Sequence, residues 1–345
     1  MTYNVYRINE ANTFFENELL TNFDADIYHT KEWVSSCELN EGDELFYLLI
    51  VCQAEKAFFP LIKRLIKDTD YFDFFTPYGY GGVAFSLNAS LDFKLNALNY
   101  LKNYLIKTNC VSVFLRLHPL LNDGLDKSPF YFDNGLTLSV DLNREYSEIQ
   151  QKYSSGHKYD LKKSNKNNNL TLVDDEGFLY YKEFLDIYIE TMKYLSASEF
   201  YFFNENYFLD LKEKLGKKLK LVVVKCGNQV IGASLFLLHN TIIQYHLSGT
   251  SIEGRKYQPS KIILDYMIKW GVENNYSVLH LGGGVGGNTD ALYKFKKGFS
   301  ATDMKFSTIR MVVNEDAYQE LSLKSGFSID EISNLSDFFP IYRKS

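Results

Sequence analysis

A glycine-rich stretch followed by lysines is the feature of this 345-residue sequence that most directly indicates chemistry. Gly282, Gly283 and Gly284 end a short apolar run, and a segment with helical spacing then carries Lys296 beside phenylalanines. Glycine has no Cβ atom, so a ligand can approach the backbone closely at such positions. An ammonium group held nearby could stabilise negative charge that develops on an oxygen during a reaction. The pattern indicates either a reaction centre at which a lysine meets that oxygen, or an ordinary loop followed by a solvated helix.

A strand-like run at 244–250 places further polar side chains ahead of that stretch. Successive residues of a strand point to opposite faces, so we expect Tyr245 and His246 on different sides of a sheet. Because imidazole titrates near neutral pH, we expect His246 or Tyr245 to move a proton, directly or through water. The alternative is that His246 is an ordinary, partly buried strand residue. Ser248 follows on the same run and is expected to contact a substrate.

Lysines are concentrated at 151–169, a basic segment that lies largely within a predicted helical stretch at 145–167. Lys158, Lys162 and Lys166 are four residues apart, which places them on one face of a helix, with His157 nearby. A lysine face suits the phosphates of a tRNA acceptor end or of a nucleotide-diphosphate sugar. The alternative is a solvated helix face with no ligand.

The first half of the chain contains a tight, aromatic turn at 74–82, "FFTPYGYGG". Tyr78 and Tyr80, on either side of Gly79, can donate hydrogen bonds to a sugar or peptide acceptor. The alternative is a purely structural turn.

Composition and charge exclude several classes of protein. The chain has 43 acidic and 37 basic residues and a net charge of −6, so it is no general nucleic-acid binder. No apolar run approaches the roughly 20 residues that a membrane-spanning helix needs. Four widely spaced cysteines and six histidines show no metal-binding spacing. The first residues show no secretion signal, so we expect a cytoplasmic protein with reduced thiols.

The sequence predicts two halves with the same order of elements. Each half has helices, three successive strands, another helix and another strand. In the first half these last five elements are predicted at 45–53, 56–66, 71–77, 90–108 and 110–117. In the second half they are predicted at 219–226, 229–240, 241–250, 260–274 and 278–281. We therefore predict a mixed α/β protein with an N-terminal domain at 1–143 and a C-terminal domain at 144–345.

This order resembles the GNAT fold of acyl-coenzyme-A-dependent N-acyltransferases, in which one strand splays from its neighbour and the gap holds the acyl donor. Two copies in one chain resemble the FemABX family of aminoacyltransferases. The family's F-K-x-G-F region is similar to "FKKGF" at 295–299, which follows "LGGG" at 281–284. The resemblance implies two tandem GNAT-like domains, each a mostly antiparallel sheet flanked by helices. It also implies that Lys296 lies beside the reaction centre.

The same resemblance assigns roles to the other candidates. The helix that contains Lys158 resembles the FemABX helix R-x-x-I-R/K-K-A, with lysine in place of its arginine, so Lys158 and Lys162 are expected to hold phosphate. The segment around Trp33 resembles an early S-x-x-W segment of the family, and the alternative is an ordinary buried tryptophan. The acceptor groove of FemABX proteins is built largely from the first domain, which implies that Trp33 and the turn at 74–82 border the acceptor.

The expected donor follows from the segment before the predicted helix 260–274. GNAT proteins bind the pyrophosphate of coenzyme A there through a Q/R-x-x-G-x-G/A pattern at the helix N-terminus. Here the segment is "SIEGRKYQPSK", in which Arg255 is present, the glycine pair is absent and Pro259 removes one N–H donor. FemABX proteins also lack the pattern and use aminoacyl-tRNA. We expect the donor to contact Ser248, Arg255 and the glycines at 282–284.

These features favour an acyltransferase with no permanently bound cofactor, using aminoacyl-tRNA or acyl-CoA as co-substrate. The expected acceptor is an amine of a nucleotide- or lipid-linked peptide or glycan precursor of the cell envelope. One alternative is an acyl-CoA-dependent N-acetyltransferase that acts on an amino sugar in capsule or lipopolysaccharide synthesis. Another is a non-catalytic binding subunit of an envelope assembly complex. Peripheral membrane contact and the oligomeric state are left open by the sequence.

Overall fold

The computed structural model describes residues 2–8, 13–37, 39, 41–197, 199–336 and 338–344. Its strands are β1 (Asn4–Ile8), β2 (Phe23–Asp24), β3 (Glu44–Cys52), β4 (Glu55–Leu65), β5 (Phe72–Phe75), β6 (Ala84–Ser86), β7 (Cys110–Arg116), β8 (Tyr131–Asp141), β9 (Leu170–Asp174), β10 (Leu219–Cys226), β11 (Gln229–His239), β12 (Ile242–Thr250), β13 (Val278–Gly283) and β14 (Thr302–Val312). Its α-helices are α1 (Phe14–Asn17), α2 (Leu19–Asn22), α3 (Lys31–Ser35), α4 (Leu91–Leu105), α5 (Tyr146–Gln151), α6 (Ser155–Ser164), α7 (Tyr181–Tyr194), α8 (Glu205–Leu215), α9 (Pro259–Glu273), α10 (Ala291–Lys297), α11 (Glu315–Lys324) and α12 (Ile329–Ser333). The prediction of a mixed α/β fold is confirmed.

The chain forms two compact units that do not follow the linear division at residue 143. One unit comprises Met1–Gly135 together with Lys305–Ser345, and the other comprises Leu136–Met304. The reason lies in the register of β14, whose residues 308–312 pair antiparallel with residues 112–116 of β7. The last segment of the chain therefore completes the sheet of the N-terminal unit.

The N-terminal unit contains the first predicted meander. Strands β3, β4 and β5 are antiparallel neighbours, β1 extends the sheet beside β3, and β7 pairs parallel with β5. Helix α4 begins after Ser90, whose hydroxyl accepts a hydrogen bond from the Phe93 N–H and so caps the helix. Its apolar face, which includes Leu98 and Leu101, is buried in one core with β3, β4 and β7.

The second unit repeats this order. Strands β9, β10, β11 and β12 are consecutive antiparallel neighbours, β13 pairs parallel with β12, and the 137–141 part of β8 pairs with β13. Helix α9 connects β12 to β13 and buries Ile263, Leu264, Met267 and Ile268 at helical spacing. These side chains form a core with β10–β13, and this core positions the site described below.

One predicted helix differs from the structure. The stretch 145–167 forms two helices, α5 and α6, because the chain turns at 152–154 and Ser154 caps the second helix through the His157 N–H. Helix α6 ends at Ser164, so Lys166 lies beyond it and the predicted face of three lysines holds two. Among the described residues, no helix has the length and hydropathy of a membrane span.

Candidate active site

Two neighbouring strands of the second unit diverge, and the candidate site lies where they separate. Strands β12 and β13 pair at three positions, of which Gln244 opposite His280 is the last. Beyond that point β12 continues to Thr250 beside β11, whereas β13 stays with β8. Among the described residues of both strands, pairing ends there, so a gap opens between Tyr245 on one side and the end of β13 on the other.

A β-bulge lies on β12 at the start of this gap. Leu247 is opposite Leu235 and Tyr245 is opposite Phe236, so His246 is an extra residue without a counterpart on β11. A bulge bends its strand and increases the local twist. The bulge therefore coincides with the point at which β12 leaves β13.

The glycine run forms the opposite edge of the gap, and its own turn requires the glycines. Gly282 has a φ of +68°, a conformation that other residues adopt only with strain. A Cβ atom on Gly284 would overlap both the Asn288 carbonyl and the Asp290 carboxylate. That carboxylate caps α10 through the Tyr293 N–H at 2.8 Å. The turn thus fixes where α10 begins. From the sequence alone, this structural role of the glycines could not be distinguished from a role in letting a ligand approach the backbone.

Lys296 of α10 is directed into the gap. Its side chain is only 7% exposed, and its ammonium donates a hydrogen bond of 2.7 Å to the carbonyl of Gly283. The same nitrogen lies 5.8 Å from the ring centroid of Tyr245. Burial lowers the pKa of Lys296 to about 8, although the negative charge of Asp290 acts to raise it. The neighbouring Lys297 is more exposed and pairs with Asp303 at 2.7 Å.

Hydroxyl groups line the β12 side of the gap. Burial raises the pKa of Tyr245, while hydrogen bonds with Ser248 and Ser234 act in the opposite direction. Ser234 donates to Ser248 at 2.9 Å from the directly opposite position on β11. Tyr245 and Ser248 were predicted from the sequence, but Ser234 was not. The register of the hairpin formed by β11 and β12 places Ser234 beside them and could have indicated it.

His246 occupies a different environment from Tyr245. Its Nε2 atom is 3.2 Å from the hydroxyl of Tyr207 on α8, whereas Tyr245 packs with Phe236 in the core around α9. Burial lowers the pKa of His246 to about 3. The surrounding protein disfavours the imidazolium, so this position does not favour the predicted role of His246 as a base that titrates near neutral pH.

The proposed donor loop before α9 is held by specific side-chain contacts. The guanidinium of Arg255 stacks over the Tyr194 ring, with 3.5 Å between its central carbon and the ring centroid. At the helix itself, Thr250 and Ser260 share a hydrogen bond of 3.0 Å. Pro259 is the first residue of α9 and is buried, so the helix begins without an N–H donor at that position.

The F-K-x-G-F motif joins α10 to α6. His157 is buried, and its Nε2 atom lies 2.9 Å from the carbonyl of Phe295. A Cβ atom on Gly298 would lie 2.7 Å from the His157 ring, and the Phe299 ring packs edge-on against it. His157 is therefore a packing residue between the two helices. From the sequence, His157 was recognised only as a neighbour of the lysines, and its packing role was not predicted.

Lys158 and Lys162 lie on the exposed face of α6. Lys158 donates a hydrogen bond of 2.8 Å to the carbonyl of Gln151, which holds its ammonium over the C-terminus of α5. Both ammonium groups can be reached from solvent, as a phosphate contact would need.

In the N-terminal unit, the predicted acceptor residues form one cluster. Trp33 is buried, and its indole N–H donates to the carbonyl of Tyr78 at 3.0 Å, so it positions the turn from beneath. A Cβ atom on Gly79 would overlap the Tyr28 ring, which packs on both Trp33 and Tyr80. Tyr78 and Tyr80 are half-buried in this turn.

Comparisons with known proteins agree with this architecture. Residues 160–297 match the family described as acetyltransferase (GNAT) domain. The structure is similar to that of FemX, with 12% sequence identity, a TM-score of 0.70 and coverage of 91% of this chain and 99% of that chain. It is also similar to a conserved protein of unknown function from Bacteroides thetaiotaomicron, with 10% identity, a TM-score of 0.51 and coverage of 77% and 86%. The comparison with L-PGS from Bacillus licheniformis gives 14% identity, a TM-score of 0.48 and coverage of 75% of this chain and 82% of that chain. A search of curated proteins finds no significant match.

The matched family region contains both diverging strands and Lys296. The match therefore favours the enzyme alternatives over a non-catalytic binding subunit.

Proposed function

We propose that the chain is an acyltransferase that transfers an aminoacyl or acyl group to an amine of a cell-envelope precursor, and the GNAT-domain match and the FemX-like fold support this. One observation carries the proposal. Tyr245 is the first residue of β12 that no longer pairs with β13, and the ammonium of Lys296 lies 5.8 Å from its ring centroid and 2.7 Å from the carbonyl oxygen of Gly283 on β13. A carbonyl group that enters this gap meets a fixed positive charge.

The chemistry requires no covalent enzyme intermediate. The amine nitrogen attacks the ester carbonyl carbon, and the carbonyl oxygen gains negative charge as the tetrahedral intermediate forms. The C–O bond to the leaving hydroxyl then breaks, the amide remains, and the amine proton passes to the departing oxygen. The protein contributes orientation of the two substrates and stabilisation of the oxyanion.

Lys296 is suited to the oxyanion role. An ammonium group has three N–H donors, and the Gly283 carbonyl occupies one of them. The others can bind the oxyanion, and the low exposure of the side chain strengthens that interaction relative to water. The Tyr245 hydroxyl, connected to Ser248 and Ser234, is the better placed of the two proton-transfer candidates. His246 lies against α8 and has too low a pKa to be an effective base.

The donor proposed first is aminoacyl-tRNA. Pro259 at the start of α9 removes an N–H from the place where a pyrophosphate would bind, which weakens a coenzyme A site. The exposed lysines of α6, Lys158 and Lys162, supply charge for the phosphates near an acceptor end. The acceptor amine is assigned to the turn with Tyr78, Gly79 and Tyr80, which Trp33 supports.

The second candidate is acyl-CoA-dependent N-acetylation of an amino sugar. The description of the matched family, an acetyltransferase domain, favours it. This candidate shares the gap and Lys296 with the first and differs only in the donor.

Product formation with two donors and two acceptors distinguishes these candidates. The donors are total bacterial tRNA charged with labelled amino acids, and labelled acetyl-CoA. The acceptors are a nucleotide-linked muropeptide with a free amine and a nucleotide-linked amino sugar. Label transfer from charged tRNA supports the first candidate, and transfer from acetyl-CoA supports the second. Absence of transfer in all four combinations, with correctly folded protein, contradicts the envelope-precursor proposal.

A further inference from the structure

The β-bulge on β12 decides which side chains of that strand share a face of the sheet. On a regular strand, residues three apart, such as 245 and 248, point to opposite faces. Here Ser248 lies opposite Ser234 and Tyr245 lies opposite Phe236, and those two partners are two residues apart on β11. Tyr245 and Ser248 therefore share a face, because the bulge residue His246 adds one position between them.

The hydroxyl of Ser234 lies in an otherwise apolar part of β11. Ser234 is the single polar residue in the run 230–238, and its side chain is 0% exposed. It donates a hydrogen bond of 2.9 Å to the hydroxyl of Ser248. A hydroxyl that is removed from water contributes less to a core than an apolar group does, so the contact with Ser248 explains its place better than packing does.

The pair of serines extends to the phenol of Tyr245. A serine hydroxyl has one proton to donate, so the Ser248 proton remains for Tyr245 when the Ser248 oxygen accepts from Ser234. Burial raises the pKa of Tyr245 by more than the hydrogen bonds with the serines lower it, so the phenol keeps its proton at neutral pH. The Phe236 ring, with 5.4 Å between the two centroids, packs beside this phenol.

Tyr245 and Lys296 supply different things to the gap between β12 and β13. The ammonium of Lys296 lies 5.8 Å from the Tyr245 ring centroid and provides positive charge for an oxyanion. The neutral phenol of Tyr245 provides a proton that can be transferred. Acyl transfer needs both, because charge develops on the carbonyl oxygen and the leaving atom must be protonated.

We propose that Tyr245 is the acid of acyl transfer and that Ser234 is a positioning residue, which holds Ser248 and through it the Tyr245 hydroxyl in the gap. The inference rests on the proposed function and adds to it the direction of the proton transfer and the residue that orients the acid.

The proton balance of this step is closed by the acceptor amine. When the bond between the acyl carbon and the leaving atom breaks, that atom (oxygen in an ester, sulfur in a thioester) takes the Tyr245 proton. The electron pair of the O–H bond stays on the phenolate. The phenolate then takes a proton from the nitrogen that attacked, so Tyr245 ends the cycle neutral. Between these transfers Ser248 donates to the phenolate, and such a charge-assisted hydrogen bond is stronger than a neutral one.

Single-turnover transfer, with enzyme in excess and with whichever donor and acceptor support the reaction, tests the proposal. The variants are Tyr245→Phe, Ser234→Ala and the two combined. We expect Tyr245→Phe to slow transfer at least about 100-fold, because it removes the acid. Ser234→Ala should slow transfer about fivefold at an unchanged half-saturating enzyme concentration, because one hydrogen bond is lost. In the Tyr245→Phe background, Ser234→Ala should change the rate by less than about twofold, because no phenol remains to be oriented.

Ser322→Ala is the matched control. Ser322 of α11 belongs to the other unit, is likewise 0% exposed and donates to the carbonyl of Tyr318 at 2.6 Å. This variant should transfer at the native rate. Thermal unfolding within about 3 °C of the native midpoint confirms that each variant is folded. If Ser234→Ala does not fold, the same cycle with Ser248→Ala, which removes the middle hydroxyl, decides with the same expected values.

The outcomes separate this inference from the proposed function. Transfer by the native protein together with an unchanged rate in Tyr245→Phe or in Ser234→Ala overturns the inference and leaves the function standing. An equal loss from Ser234→Ala in the native and Tyr245→Phe backgrounds also overturns it, because the serine would then act on packing alone. Absence of transfer by the folded native protein overturns the proposed function and the inference with it.

Discussion

The ammonium of Lys296 donates a hydrogen bond of 2.7 Å to the carbonyl oxygen of Gly283, the last residue of β13. This contact joins the end of α10 to the glycine turn that precedes it. Asp290 completes the arrangement, because its carboxylate accepts N–H bonds from both Val285 and Tyr293. The glycine turn, α10 and Lys296 therefore hold one another in place, and a substitution in any of them should displace the Lys296 ammonium from the gap.

The pH dependence of stability should reveal the buried state of Lys296. The folded pKa of about 8 lies below the ordinary value of 10.5. Between these values the unfolded chain holds a proton that the folded chain has released, so the free energy of unfolding should rise with pH. The full effect is about 3 kcal/mol. Urea unfolding from about pH 7 to pH 9.5 should show about 2 kcal/mol of this rise in the native protein and none of it in Lys296→Met.

The exposed Lys297 supplies the matched control, since Lys297→Met should keep the native slope. Equal slopes in the native protein and Lys296→Met would show that the ammonium is not buried as described.

The packing of α6 on α10 should depend on Gly298. A Cβ atom there would lie 2.7 Å from the ring of His157, and that ring is fixed by its bond to Phe295. We expect Gly298→Ala to lower the free energy of unfolding by about 1–3 kcal/mol. The loss should shrink in a His157→Ala background, because the ring is then absent.

Gly156→Ala is the control for this cycle. Gly156 lies in α6, and a Cβ atom at that position meets no atom within 4 Å. The substitution should be neutral or slightly stabilising, since alanine favours a helix. Strictly additive effects of His157→Ala and Gly298→Ala would refute the packing interpretation.

Acid stability should depend on His246. Its folded pKa of about 3 lies below the ordinary 6.5, so the unfolded chain binds more protons between these values. The free energy of unfolding should therefore fall as pH falls, by about 2–3 kcal/mol between pH 6.5 and about pH 4.5. The difference in stability between the native protein and His246→Gln should change by that amount over this range. A difference that stays constant with pH would argue against burial of a neutral imidazole.

The acceptor turn should depend on the indole N–H of Trp33. Trp33→Phe removes the donor to the Tyr78 carbonyl while keeping an aromatic ring in the core. We expect a stability loss of about 1 kcal/mol and, under the proposed acceptor role, a higher KM for the acceptor with little change in kcat. Steady-state kinetics with varied acceptor measure this. A lower kcat at unchanged KM would place the turn elsewhere in the mechanism.

Much of the second unit follows from local pattern. Strands β10, β11 and β12 were predictable because their apolar runs are bounded by turn residues, and α9 because its buried positions recur at helical spacing. The resemblance of 295–299 to the F-K-x-G-F region was enough to identify Lys296 as a candidate. The burial of Lys296 could not be predicted, because the neighbouring Lys297 has a side chain that is 41% exposed and only the three-dimensional turn distinguishes the two lysines.

Long-range pairing set the limits of prediction. Nothing local indicates that β14 pairs with β7, so the membership of the last segment could not be read from element order. The bulge at His246 is likewise a property of the register between two strands. The ion pairs of Asp73 with Arg64 and Arg343 could not be predicted for the same reason, since they join positions across almost the whole chain.

The turnover number of Lys296→Ala, measured beside that of Lys297→Ala, tests the central claim most directly. Whichever donor and acceptor support transfer, we expect the first variant to lose at least about tenfold in kcat while remaining folded, because the oxyanion loses its charged partner. The second variant removes an equally charged neighbour that pairs with Asp303 at the surface, and it should keep native turnover. Native turnover in folded Lys296→Ala would contradict the account.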